Sequence, residues 1–265
     1  MRHFLLLLFI LSTTRLSAAK VDTVNTYSAS MHKEIKAVVV TPSDYSSSQH
    51  YPVLYLLHGY SGNYSDWITK DPAFATLTDQ YHMIIVCPDG DFGSWYMDSE
   101  VKKGSKYETY VGTELINWID QHYSTIPNRS GRAITGLSMG GHGALFLAFR
   151  HPTTFGAAGS MSGGVDLCPF PQNWDLEKLL GKYSESPERW EKNSVINMLY
   201  LLTPNLLELT IDCGAEDFFH NCNDRLERNI PHDYTVRPGA HTWEYWSNSI
   251  QYQALFFHNY FNKKK

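Results

Sequence analysis

The chain has 265 residues, a formal charge of −5 and four cysteines. That length accommodates one α/β domain with a sizeable core. The negative balance offers no basic face for phosphates and so excludes a nucleic-acid partner. The sequence carries neither C-x-x-C nor H-E-x-x-H spacing, so no metal or other cofactor is expected.

At the N-terminus, Arg2 and His3 precede an apolar run over residues 4–11, and Ser17, Ala18 and Ala19 supply small side chains behind it. This pattern predicts a secretory signal peptide over residues 1–19 and a secreted or periplasmic destination for residues 20–265. The run is short for a bilayer span, so no stable membrane insertion is expected once it is removed. In an oxidising compartment the cysteines could pair. Cys213 and Cys222 form the best candidate pair, whereas Cys87 lies in an apolar strand and reads as a free, buried thiol.

Residues 20–41 read as an entry hairpin, ended by Pro42. Residues 52–57 form an almost unbroken apolar run, the pattern of a central strand covered on both faces. His58-Gly59-Tyr60 follows at its carboxyl end. Residues 66–81 read as helix interrupted at Pro72. Residues 83–87 form the next strand, ended by Pro88-Asp89-Gly90. Val111, Leu115, Trp118 and Ile119 lie at helical spacing within 107–123. Residues 132–135 read as a short strand, and 139–150 as a helix stopped by Pro152. A strand of small residues covers 155–163. Residues 165–203 break the alternation and read as an insertion over the site, too short for a core of its own. Strands at 206–212 and 234–237 follow, with a helix at 220–229 between them. An amphipathic helix, 243–261, closes the chain. Strands alternating with helices predict one doubly wound, mostly parallel sheet. Its working loops should lie at the strand carboxyl ends.

The strand-to-helix junction contains Gly136-Leu137-Ser138-Met139-Gly140, a G-x-S-x-G pattern. Such a junction forces a sharp turn on Ser138, and glycines on both sides let neighbouring chains pass closely. The hydroxyl is left exposed at a helix N-terminus, where unpaired N–H groups and a positive dipole meet. A serine hydroxyl is a poor nucleophile without a base to take its proton and an acid to orient that base. In α/β-hydrolases the three occur in the order Ser, acid, His. Among the histidines after Ser138, His142 and His258 lie within helices and His151 ends one. His241 follows a strand directly in a Pro-Gly-Ala turn, from which an imidazole could reach Ser138, so it is the candidate base. The acid should leave the preceding strand. Asp217 is the first choice, with Glu216 and Asp212 as rivals and a helix cap as its alternative role. Oxyanion donors would be the N–H of Met139, which follows the nucleophile, and that of Tyr60. Trp95, Trp174, Trp190 and Trp243 could stack on an aryl acyl group or a sugar.

Five segments together carry a resemblance: LLHGYSGNYSDW (56–67), PDGDFGSWYMDS (88–99), GLSMGGHGAL (136–145), CGAEDFF (213–219) and PGAHTWEYW (238–246). In this order they resemble the esterase-D-like esterase family. Its members include feruloyl and acetylxylan esterases, tributyrin-type carboxylesterases, S-formylglutathione hydrolases and mycolyltransferases. The resemblance implies an α/β-hydrolase fold with Ser138, Asp217 and His241 as triad and Tyr60 and Met139 as oxyanion donors. It also implies that Trp95 and the turn containing Ser162 lie near the substrate; with Trp243 these are the candidate substrate-binding residues. The expected activity is hydrolysis of carboxylic esters, with feruloyl or acetyl esters of plant polysaccharide, or short-chain acyl esters, as substrates. An acyltransferase or an S-formylglutathione hydrolase-like thioesterase would use the same residues. A non-catalytic carbohydrate-binding protein would not need all three. Neither the preferred ester nor the oligomeric state is written in the sequence.

Overall fold

The computed structural model describes residues 18–203 and 205–263. The expected signal peptide lies, apart from Ala18 and Ala19, outside the described residues. Among the described residues, eight strands form one sheet in the order β1-β2-β4-β3-β5-β6-β7-β8. β1 (Lys20–Ser28) and β2 (Lys33–Thr41) make the antiparallel entry hairpin, and β2 pairs antiparallel with β4 (Ile84–Pro88). From β4 onward every pairing is parallel, through β3 (Val53–Leu57), β5 (Arg132–Gly136), β6 (Ala157–Met161), β7 (Glu208–Gly214) and β8 (Asp233–Arg237).

The apolar pattern explains the layers. Every residue of β3 is buried. Tyr55 and Leu57 join a core on one face with Ile134 and Leu145, while Leu54 and Leu56 join a core on the other with Trp67, Ala133 and Ile250. A strand with two apolar faces fits only between two helical layers. One layer contains α5 (Met139–Arg150), which packs on β5 and β6; the other contains α9 (Trp243–Phe261), which packs on β6 and β7.

The segment 66–81 divides at Pro72 into α1 (Asp66–Lys70), a 3₁₀ turn and α2 (Thr76–Tyr81). The helix expected over 107–123 begins as α3 (Tyr107–Thr109), passes through a π-helical turn at Tyr110–Glu114 and ends as α4 (Leu115–His122). Within residues 165–203 lie α6 (Leu176–Leu180) and α7 (Pro187–Asn193), and α8 (His220–Glu227) follows β7. Because β3, β5, β7 and β8 run parallel, the loops after them emerge at one rim. That rim holds every residue with candidate chemistry.

The candidate Cys213–Cys222 bridge is absent: the four cysteines are free thiols. Burial pushes the thiol of Cys222 up to about 11, so it carries no reactive thiolate near neutral pH.

Candidate active site

Ser138 sits between β5 and α5 with φ 54° and ψ −116°, a conformation that a residue with a Cβ rarely adopts. The turn is held from both sides. The Ser138 N–H donates to Met161 O at 2.9 Å, and the Gly140 N–H to Leu137 O at 2.7 Å. A Cβ at Gly140 would stand 2.6 Å from the carbonyl oxygens of Leu57 and His58, so the helix reaches the end of β3 only because glycine is there.

The imidazole of His241 spans the gap that sequence left open. Its Nε2 lies 2.8 Å from Ser138 Oγ, and its Nδ1 lies 2.8 Å from Asp217 Oδ2. A carboxylate only accepts, so Nδ1 carries the proton and donates. Nε2 is then free to accept from the serine hydroxyl. The second oxygen of Asp217 accepts the Phe219 N–H at 2.8 Å, which fixes the carboxylate's orientation.

The rival acids have other partners. Glu216 Oε2 accepts the Gly239 N–H at 2.5 Å. Asp212 accepts from the Ser249 hydroxyl at 2.8 Å and pairs with Arg237 at 3.3 Å. Burial pushes the Asp212 carboxyl up to about 6, against the opposing pull of Arg237. His142 is fully buried and donates from Nε2 to Asn193 O at 2.9 Å; burial holds it down at about 4. His58 is also structural. Its Nε2 accepts the Gly90 N–H at 2.8 Å, so its protonated Nδ1 donates to Gly59 O at 2.8 Å. Burial lowers its pKa, and the neutral ring ties the loop after β3 to the loop after β4.

Gly59 brings the first of these loops against the serine. A Cβ there would lie 2.6 Å from Leu137 Cδ1 and 3.5 Å from Ser138 Cβ. Gly59, Tyr60 and Ser138 line one cavity of about 240 Å³ with His241. The N–H groups of Tyr60 and Met139 have no protein acceptor among the described residues.

Of the candidate substrate-binding residues, Trp243 lines this cavity. Trp95 and Ser162 do not. Trp95 is 1% exposed, with its ring against His142 and Trp174, and Ser162 is wholly buried behind the turn. Trp190 is buried as well, donating its indole N–H to Gly181 O at 2.9 Å. The aromatic wall is instead Trp174 stacked on Phe218, whose ring centre lies 4.2 Å from that of His241. Trp174 is the member of segment 165–203 that lines the cavity. Phe218 was missed; its signal was a large apolar residue placed next to the candidate acid in a surface loop, where it remains 54% exposed.

Residues 28–257 match the family described as "Putative esterase". The chain belongs to this esterase family. An acetyl esterase of Caldicellulosiruptor saccharolyticus is 25% identical over 258 residues, covering 86% of this esterase and 94% of the relative. A diacylglycerol acyltransferase/mycolyltransferase of Mycobacterium tuberculosis is 28% identical over 252 residues, 77% of this chain and 72% of the relative. Among solved structures, a ferulic acid esterase superposes with a TM-score of 0.78 at 27% identity, covering 92% of this chain and 99% of the other. These likenesses and the sheet order give the α/β-hydrolase fold. The protein is a carboxylic ester hydrolase. No helix among its described residues is long and apolar enough to cross a membrane.

Proposed function

We propose that this esterase works as an exported serine carboxylesterase with Ser138 as nucleophile, His241 as general base and Asp217 as orienting acid. The observation that carries the reading is the unbroken line of two 2.8 Å hydrogen bonds from Asp217 through His241 to Ser138. His241 takes the hydroxyl proton as Ser138 Oγ bonds to the ester carbonyl carbon. The tetrahedral oxyanion is held by the N–H groups of Tyr60 and Met139. Collapse expels the alcohol, which leaves with the proton from His241 and a serine-bound acyl group behind it. Water, deprotonated by the same imidazole, then releases the acid.

The cavity has room for an acyl group but not for a whole drug-sized ligand. Its volume of about 240 Å³ lies below the roughly 300–1,000 Å³ of pockets that enclose drug-sized ligands. Trp174, Phe218 and Trp243 offer apolar faces for an aryl ring. Acetyl or feruloyl esters of plant polysaccharide, or short-chain esters, therefore fit best, in line with the acetyl esterase and ferulic acid esterase likenesses. Segment 165–203 contributes Trp174 to the wall of the site. Transfer of the acyl group to a sugar hydroxyl is the second reading, favoured by the acyltransferase relative.

Hydrolysis of p-nitrophenyl acetate, p-nitrophenyl butyrate and methyl ferulate by the wild type and by Ser138→Ala tests the proposal. The variant should lose roughly three or more orders of magnitude in kcat. Near-normal turnover would remove Ser138 from its role. Product partition with and without a sugar acceptor separates hydrolysis from transfer.

A further inference from the structure

We propose that Arg237 is a positioning residue: through Tyr245 it holds the loop bearing His241 against the loop bearing Asp217. The inference rests on the triad reading above. The His241 loop, residues 238–241, leaves β8, a strand at the edge of the sheet. Beside it lies a hollow of about 650 Å³ lined by Pro238, Gly239 and Ala240 and, from the last helix, by Glu244, Tyr245 and Asn248. The backbone of 238–240 is therefore open on that side, although the imidazole of His241 itself packs against Phe218, Phe219 and Trp246.

Polar contacts and one ring hold that backbone. On the acid side, the Ala215 N–H donates to Arg237 O at 2.9 Å and the Glu216 N–H to Gly239 O at 3.1 Å. On the other side stands the ring of Tyr245. Gly239 has φ +144°, and a Cβ there would lie 2.5 Å from Tyr245 Cδ2. The ring thus bears directly on the backbone two residues before His241.

Arg237 fixes that ring. Its guanidinium carbon lies 5.2 Å from the Tyr245 ring centre and 4.5 Å from that of Tyr252. The guanidinium donates to Ser249 Oγ at 2.6 Å and to Asp212 Oδ2 at 3.3 Å. Ser249 in turn donates to the other Asp212 oxygen at 2.8 Å. Asp212 is nearly inaccessible, its side chain 3% exposed, so the pair forms a buried anchor whose loss leaves an uncompensated charge. Contacts run without a break from this anchor through Arg237 and Tyr245 to Gly239. A displacement of about 1 Å at a reacting group can lower turnover roughly 100-fold, so a loop braced this way is sensitive to its brace.

The test uses Arg237→Met, Arg237→Lys and Tyr245→Leu in the full chain, with kcat and KM for p-nitrophenyl acetate measured per folded molecule, alongside thermal melts. Arg237→Met and Tyr245→Leu should each lose about tenfold or more in kcat. KM should move by less than about threefold, because neither Arg237 nor Tyr245 lines the cavity at Ser138. Arg237→Lys should recover part of kcat, since it keeps the charge but not the planar stack. Should Arg237→Met fail to fold, Tyr245→Leu and Arg237→Lys decide on the same criterion. Lowered melting temperatures with wild-type kcat in the folded variants would overturn the proposal, and so would a KM rise that accounts for the whole loss. Ser138→Ala runs in parallel. Activity surviving there defeats the triad reading, whereas its loss there beside unchanged kcat in Arg237→Met defeats only the positioning role.

Discussion

Replacing Asp217 with asparagine preserves shape and removes charge. One carboxylate oxygen of Asp217 accepts the Phe219 N–H at 2.8 Å. The amide oxygen of asparagine takes that place, and its NH₂ group is left facing His241 Nδ1. Nδ1 must then accept, which moves the ring proton to Nε2, the atom 2.8 Å from Ser138 Oγ. The imidazole can no longer receive the serine proton. Tautomer inversion of this kind costs roughly 10⁴ in kcat in other serine hydrolases. At about 1.4 kcal/mol per tenfold, that is about 5.5 kcal/mol of barrier. KM should stay within about threefold, since Asp217 does not line the cavity. Initial rates of p-nitrophenyl acetate hydrolysis by the purified variant measure both constants. An Asp217→Asn enzyme that kept more than about a tenth of wild-type kcat would refute the orienting role.

Three further outcomes follow from the same geometry. His142 titrates at about 4 in the folded chain against 6.5 when unfolded, so the unfolded chain binds the extra proton between these values. Its contribution to stability is complete above pH 6.5 and is lost as pH falls toward 4, by about 3 kcal/mol. Urea melts across this range should show a steeper acid loss in the wild type than in His142→Gln; parallel curves would contradict the assignment. Gly140→Ala forces a Cβ against two backbone carbonyls, so overpacking of about 1–3 kcal/mol should lower the melting temperature by about 3–10 °C and displace Ser138. A wild-type melt with wild-type kcat would show that the turn has slack and would contradict the close contact. Phe218→Ala removes the ring beside His241 and should raise KM for methyl ferulate more than for p-nitrophenyl acetate. Equal effects on both esters would mean that the ring packs the loop without contacting an acyl group.

The fold was legible because its signals are local. The run 52–57 has the length and composition of a doubly covered strand, and Gly136, Ser138 and Gly140 mark a turn that tolerates few other residues. The choice of Ser138, Asp217 and His241 came from their order along the chain, the strand–helix alternation and the family resemblance together. Other features depended on direction in space. Asp212, Glu216 and Asp217 lie within six residues of one another, and sequence alone could only rank them. In the fold Asp212 turns toward Ser249, Glu216 toward Gly239, and Asp217 alone toward His241. The four candidate tryptophans behave likewise. Trp95 and Trp174 both have positive φ, yet one ring turns under the other, so Trp174 faces the cavity while Trp95 fills the core. The π-helical turn at Tyr110–Glu114 was hidden because one inserted residue barely disturbs an apolar stripe. The Cys213–Cys222 pairing was suggested by proximity to Asp217 along the chain, which carries no information on the separation of the two sulfurs.

In the proposed mechanism Ser138 Oγ is the nucleophile that attacks the ester carbonyl carbon. Incubating the purified chain with a fluorophosphonate probe and mapping the adduct by peptide mass spectrometry tests it directly. The expected result is a single stoichiometric adduct on Ser138, loss of esterase activity in step with labelling, and neither labelling nor turnover in Ser138→Ala. An adduct on another residue, or full inactivation with Ser138 unmodified, would contradict it.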